Sequence, residues 1–588
     1  MIAHTSHLEP GVATSQNDPE NLSDVDQDNM DEIFGDQETE SLLESRGDRR
    51  ESQDNHPLAN LDVDKLLVNK IGEFGRYQKF VYVLVCLPAA LTAGITLGSV
   101  FTEYVPEHRC FVDGCDDKQA PRYDDAFLMS WYNFTIPSNN SQCDRYKRTD
   151  NKSSCSFTDF SQVTESCDRY LFSDSIIKSS VVTEFELVCN EEWQVPLSQS
   201  VFFAGVLVGA ITFGYLSDVW GRKKTFLLGL LETVVCGLAA SASTNVKMFA
   251  VLQFFTAMGQ VGLFQTLFVL GVELVGPSKR VLCGIVIEYF FVLGELYLAL
   301  VAWYFRSWRY IQLAAVAPGI IFFLYHFFLP ESVRWLIIKK KYSEAFTILQ
   351  TVASRNNVDI PNQEEMLAYR KQDEVVQESE SMIDLMKRPR MMCRLLNVFI
   401  NWFVITMIYY GLSMNAASLA GDVYANFALL AICEIPGYTM SYVGMKWVGR
   451  RFSLSSSLLI GGVSCLISSL TAEYASVSTI FFLFGKFGAT AAFGTVYLYT
   501  GELFPTQVRS VCVGLSSMFG RFGAIISPYI VQLAPLTGVA WLPMIVFAGA
   551  GIIGGVLTCL LPETRHSTLP RSLAEAENIG ANIVESNE

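Results

Sequence analysis

Five ionisable residues interrupt long apolar runs, and they are the first candidates for chemistry: Glu288 and Glu295 in 281–304, Glu434 in 423–445, Lys486 in 477–500 and Arg521 in 510–533. A charge at membrane depth is costly enough that each such residue is a functional candidate by default. Glu288 and Glu295 are seven residues apart, so on a helix both carboxyls share one face, with Phe291 between them. Trp402, Thr406, Tyr409 and Ser413 recur at helical period in 394–416, as do Lys486, Thr490, Phe493 and Tyr497 in 477–500. Such stripes either pack helices or present aromatic faces to an ammonium group, at roughly 0.5–2 kcal/mol per cation–π contact. Arg521 carries a fork that can pair bidentately with a carboxylate. Together these groups suit a small organic zwitterion or cation with a compact ammonium. The alternative is an organic anion held by Arg521 and Lys486, with Glu288 and Glu295 neutral, paired or engaged in proton coupling.

These residues need helices that cross a bilayer. Half of the 588 residues are hydrophobic and 17% are charged, with the charges collected at the ends of apolar runs. Runs of roughly 20 apolar residues, the length that covers about 30 Å, fall near 77–101, 196–216, 225–244, 248–271, 281–304, 308–329, 394–416, 423–445, 452–471, 477–500, 510–533 and 539–561. The expectation is an all-α membrane protein with twelve transmembrane helices. Its first apolar run begins near Tyr77, too deep for a cleavable leader, so span 1 is itself the targeting signal. Short connections with Arg222, Lys223 and Lys224, with Lys279 and Arg280, with Arg450 and Arg451, and with Arg509 alternate with connections lacking Lys and Arg. The positive-inside bias puts these connections and both termini in the cytoplasm.

The organisation that follows has five parts. Residues 1–76 form an acidic tail, rich in Asp, Glu, Ser, Asn and Gln and expected to be disordered; residues 77–329 form a first six-helix half; 330–393 form a cytoplasmic helical linker; 394–561 form a second half; and 562–588 form a cytoplasmic tail. The net charge of −16 owes much to the N-terminal tail. Within the first half, the external segment 102–195 carries Cys110, Cys115, Cys143, Cys155, Cys167 and Cys189. An even set in one external segment reads as three disulfides, with fifteen pairings open. Sequons at Asn133, Asn139 and Asn151 make the same segment a candidate for glycosylation.

Three landmarks recur. "DVWGRKK" answers "KWVGRR", "ELVGPSKR" answers "ELFPTQVR", and "LPES" answers "LPET", at offsets near 230 residues. Duplicated halves related by an axis along the membrane normal enclose a central site served by alternating access. Asp218, Arg222, Glu273, Arg280, Glu331 and Arg334 in the first half, with Arg450, Glu502, Arg509 and Glu563 in the second, are candidates for a gate whose charges pair across the halves when the inner side closes. Otherwise they only stabilise loops or set topology. Exposed pairs contribute about 0–1 kcal/mol each, so such a gate needs several partly buried pairs.

With these motifs in place the chain, over about residues 70–580, resembles the organic cation, carnitine and organic anion transporter family of the major facilitator superfamily. The resemblance is carried by the six-cysteine first loop, "SSVVTEFELVCNEEWQVPLSQSVFFAGVLVGAITFGYLSDVWGRK", "LPESVRWL", "TGELFPTQVR" and "LPETRHSTLPRSLAEAEN". It implies the major facilitator fold in two pseudo-symmetric halves, a plasma-membrane location, and alternating-access transport of organic cations or carnitine-like zwitterions. The departures are Val219 after the motif aspartate, Lys446 where the second copy would have Asp, and Gly494 and Arg521 at acidic markers of the cation-selective branch; Arg521 looks like the carnitine and anion branches. The implied partners are a small organic solute, the lipid bilayer and a coupling ion, sodium or proton. No nucleic acid is implied. A transport-dead sensor or scaffold signalling through the tail is the reading from a different class. The six histidines, His326 among them, lack metal-ligand spacing, and the Gly-rich "GKFGATAAFG" lies within a span, so neither cofactor nor enzymatic constellation is expected.

Overall fold

The computed structural model describes residues 61–116, 123, 131–137, 142–149, 155–359, 380–565, 567, 569–570 and 572–579. Each predicted span contains a helix. In chain order these are α1 Arg76–Thr96, α2 Gln194–Trp220, α3 Arg222–Ala240, α4 Val246–Leu274, α5 Arg280–Phe305, α6 Trp308–Val316, α7 Pro389–Met414, α8 Val423–Trp447, α9 Arg450–Leu470, α10 Ala475–Leu503, α11 Arg509–Val531 and α12 Leu542–Thr558. Ten helices among the described residues are long and apolar enough to cross a membrane. The two that fall outside that count are α3, which opens on Arg222, Lys223 and Lys224 and carries Glu232, and α12, which has 17 residues. After α6 the chain tightens into a 3₁₀ stretch, Ala317–Leu324, where Pro318 has no N–H to offer a regular helix.

The helix pairs α1–α5, α2–α4 and α3–α4 recur as α7–α11, α8–α10 and α9–α10, and the halves meet along α2–α11 and α5–α8. Close approach depends on matched glycines. A Cβ at Gly259 would stand 2.7 Å from the Gly229 carbonyl oxygen, and a Cβ at Gly488 would stand 2.6 Å from the Gly461 nitrogen. Gly221 (φ +99°) turns α2 into α3 within one residue and Gly449 (φ +118°) turns α8 into α9 within two, a backbone state that L side chains rarely adopt.

Between α1 and α2 the chain builds a small disulfide-bonded unit. Strand β1 His108–Cys110 pairs antiparallel with β4 Tyr170–Phe172, and β2 Asp144–Arg148 with β3 Phe160–Ser166. The six cysteines pair as Cys110–Cys167, Cys115–Cys155 and Cys143–Cys189. A buried Arg109–Asp116 pair at 2.8 Å braces its centre. The unit is tied to the bundle where Trp308 Nε1 donates to Glu184 at 2.8 Å and Arg306 Nε to the Ile176 carbonyl at 2.7 Å. Asn133 is exposed in the short helix Tyr132–Thr135, while Asn139 and Asn151 lie outside the described residues.

One expectation is corrected. Of the tail expected to be disordered, residues 1–60 lie outside the described residues, but residues 61–76 are ordered. Val63–Leu66 and Leu67–Ile71 are helical and bury Leu61, Val63, Leu66, Leu67 and Ile71 against Trp335, Leu336, Tyr342, Leu349 and Val352 at the start of the linker. The five apolar side chains supply the burial that the acidic stretch before them lacks. Of the linker, Val333–Ile338 and Tyr342–Asn356 are helical.

Candidate functional site

At the centre of the bundle, α5, α7, α8 and α10 bring four of the predicted residues into one network. Lys486 Nζ lies 2.6 Å from Glu434 Oε1, with the two side chains 1% and 0% exposed. It donates to Ser413 Oγ at 2.6 Å, and sits 3.5 Å from the centre of the Tyr409 ring. Tyr409 Oη donates to the other Glu434 oxygen at 3.0 Å, and Ser413 Oγ donates to the Tyr409 carbonyl at 2.8 Å. Each partner therefore fixes another, as a buried ion pair requires if its attraction is to offset desolvation. Glu295 is 2% exposed and stands beside Glu434; its Oε1 has no hydrogen-bond partner. Glu288 lies two turns away, partly buried, near Tyr438. Two carboxyls, Glu434 and Glu295, thus share one ammonium, and Glu288 is in electrostatic reach of Glu434.

The opposite wall is α11. Arg521 is partly buried, its Nη1 donates to Ser517 Oγ at 2.7 Å, and its Nε has no partner. Tyr410 is in electrostatic reach of Arg521 and also of Glu288 and Glu434. Phe493 stacks on Tyr409 at 5.2 Å, and Tyr497, 36% exposed, packs edge-on against Trp402 at 4.4 Å. Trp402 is fully buried and donates through Nε1 to Thr500 Oγ1 at 3.0 Å, so its ring packs helices and offers no face to a solute. Thr406 is likewise buried and donates to the Gly520 carbonyl.

The charged motifs at the far end of the bundle form two matched cages. In the first half, Arg222 pairs with Glu273 at 3.0 Å and with Asp218 at 3.1 Å. The Glu331 carboxylate accepts from the amides of Arg222 (2.8 Å) and Lys223 at the N-terminus of α3, where the helix end favours negative charge. In the second half, Arg450 pairs with Glu502 at 3.0 Å, and Glu563 accepts from the amides of Arg450 (2.8 Å) and Arg451 (3.0 Å). Arg509 Nε donates to the Phe504 carbonyl at 3.3 Å. Arg280 and Arg334 both reach Asp64 in the ordered N-terminal segment, Arg280 at 2.6 Å. The predicted pairing of these charges across the halves is therefore not what this conformation holds: among the described residues their ion pairs stay within one half.

Sequence reasoning missed Tyr410, Tyr438 and Asp64. A one-face periodicity count picks Tyr409 and passes over its neighbour, and Tyr438 sits in an apolar run without a stripe of its own. Asp64 is one acid among many in an acidic segment.

Fold and site together define a membrane transporter of the major facilitator type, and not an enzyme. Residues 125–572 match the family described as "Sugar (and other) transporter". The chain is 33% identical over 530 residues to the "Organic cation transporter protein" of Drosophila melanogaster, covering 87% of this chain and 94% of that one. It is also 33% identical over 530 residues to the human "Organic cation/carnitine transporter 2", covering 86% and 92%. Among solved structures, a partially occluded inward-open conformation of the xylose transporter XylE from E. coli superposes with TM-score 0.55 at 13% identity, over 83% of this chain and 99% of that chain. The chain belongs to the sugar (and other) transporter family and, within it, to the organic cation and carnitine transporters.

Proposed function

We propose that the protein carries small organic zwitterions or cations with a compact ammonium group, carnitine-like molecules among them, across the plasma membrane by alternating access. The observation that carries this reading is the division of charge at the centre. Lys486 is already committed to Glu434, so it offers no free positive charge to an anion. Arg521 keeps an unpartnered Nε, and around Glu434 the acids outnumber the one ammonium. A carboxylate at Arg521 and an ammonium toward Glu288, Glu295 and the Phe493 and Tyr497 rings matches that polarity. Of the predicted binding residues, Tyr409, Lys486 and Glu434 then form the base of the site and Trp402 supports it.

In this reading the cage end faces the cytoplasm together with both termini, and the disulfide-bonded unit is external and glycosylated. The reading keeps a five-part division into tail, first half, linker, second half and C-terminal tail, with the tail ending near residue 60.

Uptake into proteoliposomes tests the reading, using carnitine, quaternary amines without a carboxylate, and dicarboxylates, each with and without sodium and at two pH values. Arg521→Asp is expected to abolish uptake of carboxylate-bearing zwitterions and to keep that of simple cations. Dicarboxylate uptake by the wild type that Arg521→Asp removes would reassign the site to organic anions.

A further inference from the structure

The two charged cages match in position but not in charge. In the first half every motif arginine has a carboxylate: Arg222 has Glu273 and Asp218, and Arg280 and Arg334 share Asp64. In the second half only Arg450 is so paired among the described residues, with Glu502. Lys446, exposed, stands at the place of Asp218. Arg509 stands at the place of Arg280, yet it has no counterpart of Asp64: it makes no ion pair among the described residues, and its Nη2 is buried without an acceptor. Arg451 and Arg565 make no ion pair there either. Arg451 Nε is buried without a partner, and Arg565 Nη1 donates to the Trp447 carbonyl.

These cations belong to one patch. Glu563 accepts from the amides of Arg450 (2.8 Å), Arg451 (3.0 Å) and Arg565 (3.0 Å). Thr564 Oγ1 donates to Glu502 Oε2 at 2.6 Å, and Arg509 lies in electrostatic reach of Glu502. Both carboxylates of the cage are therefore engaged, Glu502 with Arg450 and Glu563 with the backbone, and the charges of Lys446, Arg451, Arg509 and Arg565 remain. A charged donor left without an acceptor costs more than a neutral one, so the patch favours an anion that the cage itself does not contain.

We propose that the acidic N-terminal segment 18–44 of this chain docks on the second cage and supplies that anion. From Asp18 to Glu44 the sequence holds eleven Asp and Glu and no Lys or Arg. The same end of the chain already performs this service in the first half, where Asp64 is the carboxylate of Arg280. Leu61–Ile71 is packed on Trp335 and Leu336, so the chain upstream of it starts at the cage end of the bundle. Seventeen residues separate Glu44 from Leu61, on the order of 55 Å when extended, against about 8–10 Å between the axes of packed helices. Tethering also holds the segment at an effective concentration on the order of mM. With Leu61–Ile71 fixed to the first half and 18–44 on the second, the segment crosses between the cages. It provides the charge pairing across the halves that the cages lack by themselves, and so ties their ends together.

The test uses the full-length protein in phosphatidylcholine nanodiscs, without organic solute, and with the photoreactive substitution Phe34→p-benzoylphenylalanine between Glu32 and Asp36. Irradiation and peptide mapping are expected to give intrachain adducts within 446–452, 505–511 or 563–565. Their yield should fall as salt rises from about 0.05 to about 0.5 M, which screens exposed charges. Lys446→Asp, at an exposed position, and Arg509→Gln should each lower the yield by up to about tenfold, whereas Lys224→Gln, exposed on the first cage, keeps it. Adducts confined to the first half, or a yield that neither second-cage variant lowers, overturn the proposal. So do adducts found only between two chains, which assign the patch to a second copy, and a yield abolished by phosphatidylserine in the disc, which assigns it to anionic lipid. No solute enters the measurement, so its outcome is independent of whether the zwitterion reading holds.

Discussion

The Lys486–Glu434 pair permits a quantitative prediction because its surroundings are unbalanced. At 2.6 Å, two unit charges under an effective dielectric of about 20 attract by about 6 kcal/mol, against desolvation of several kcal/mol per ion. The net value of the pair is therefore small, while removal of one partner is expensive, about 3–5 kcal/mol. The two single variants should differ. Lys486→Met leaves Glu434 and Glu295, both almost fully buried, with no cation between them. Glu434→Gln leaves Lys486 with Glu295 still beside the site, so its loss should lie at or below the lower end of that range. In the double variant Glu295 is left buried without a cation and the Tyr409 hydrogen bond is altered, so the loss should lie between those of the two single variants. The assay is the thermal midpoint and the monodisperse fraction of the solubilised full chain for all four proteins. The expected order is wild type, Glu434→Gln, double variant, Lys486→Met. Equal losses in the two single variants, or a double variant that loses the sum of both, would refute the shared-counter-charge account.

Other expectations follow from the cages and loops. The Glu273 side chain is 19% exposed and that of Asp218 is 76% exposed, although both pair with Arg222; Glu273→Gln should lower stability by ~1–3 kcal/mol and Asp218→Asn by about 0–1 kcal/mol, read as midpoint shifts. Burial pushes the Asp64 carboxyl up, but the Arg334 and Arg280 guanidiniums outweigh it and hold it below its ordinary value of 3.8. A depressed carboxylate contributes its full stability above the ordinary value and loses it as pH falls through the lowered one. Limited proteolysis within 61–71 should thus be pH-independent from neutrality to mild acid in the wild type, and faster throughout in Asp64→Asn. Non-reducing peptide mapping should recover Cys110–Cys167, Cys115–Cys155 and Cys143–Cys189, and replacing Cys115 and Cys155 by Ser should destabilise the external unit by roughly 2–5 kcal/mol.

The helices were legible in the sequence because lipid imposes one rule, an unbroken run of apolar residues, and breaks it only for a reason. The same rule made Glu288, Glu295, Glu434, Lys486 and Arg521 conspicuous. What hydropathy could not supply is which of these charges neutralise one another. Glu434 and Lys486 lie on different helices 52 residues apart, and only the α8–α10 packing brings them together. Trp402 and Tyr409 share a stripe, yet Trp402 turns to Thr500 and Tyr409 to Glu434, because a helical face in a bundle meets more than one neighbour. The disulfide pairing was open for a similar reason, since spacing along a loop does not determine which strands cross. Asp64 escaped notice because composition averages over a window, whereas the N-terminal latch depends on five apolar residues within eleven.

The distribution of contacts bears on how such a molecule moves. The ion pairs and helix-end carboxylates knit each half internally, Arg222 to Glu273 and Glu331 in one, Arg450 to Glu502 and Glu563 in the other. Across the halves the contacts are aromatic and apolar, Phe101 on Tyr424 at 5.6 Å and Phe203 on Tyr410 at 4.8 Å, with few hydrogen bonds, among them Ser200 Oγ to the Ile525 carbonyl and Tyr289 to Thr439. Directional, charge-assisted bonds resist distortion, while apolar surfaces exchange neighbours at little expense. Motion should therefore fall along α2–α11 and α5–α8 and leave each six-helix unit intact. The central network respects that division only in part. Lys486, Glu434 and Tyr409 all belong to the second half, but Glu288 and Glu295 belong to the first, so the central carboxyls without a cation of their own among the described residues lie on the surface that slides. On the proposed reading, a positive charge entering the centre should meet Glu295 where the halves part.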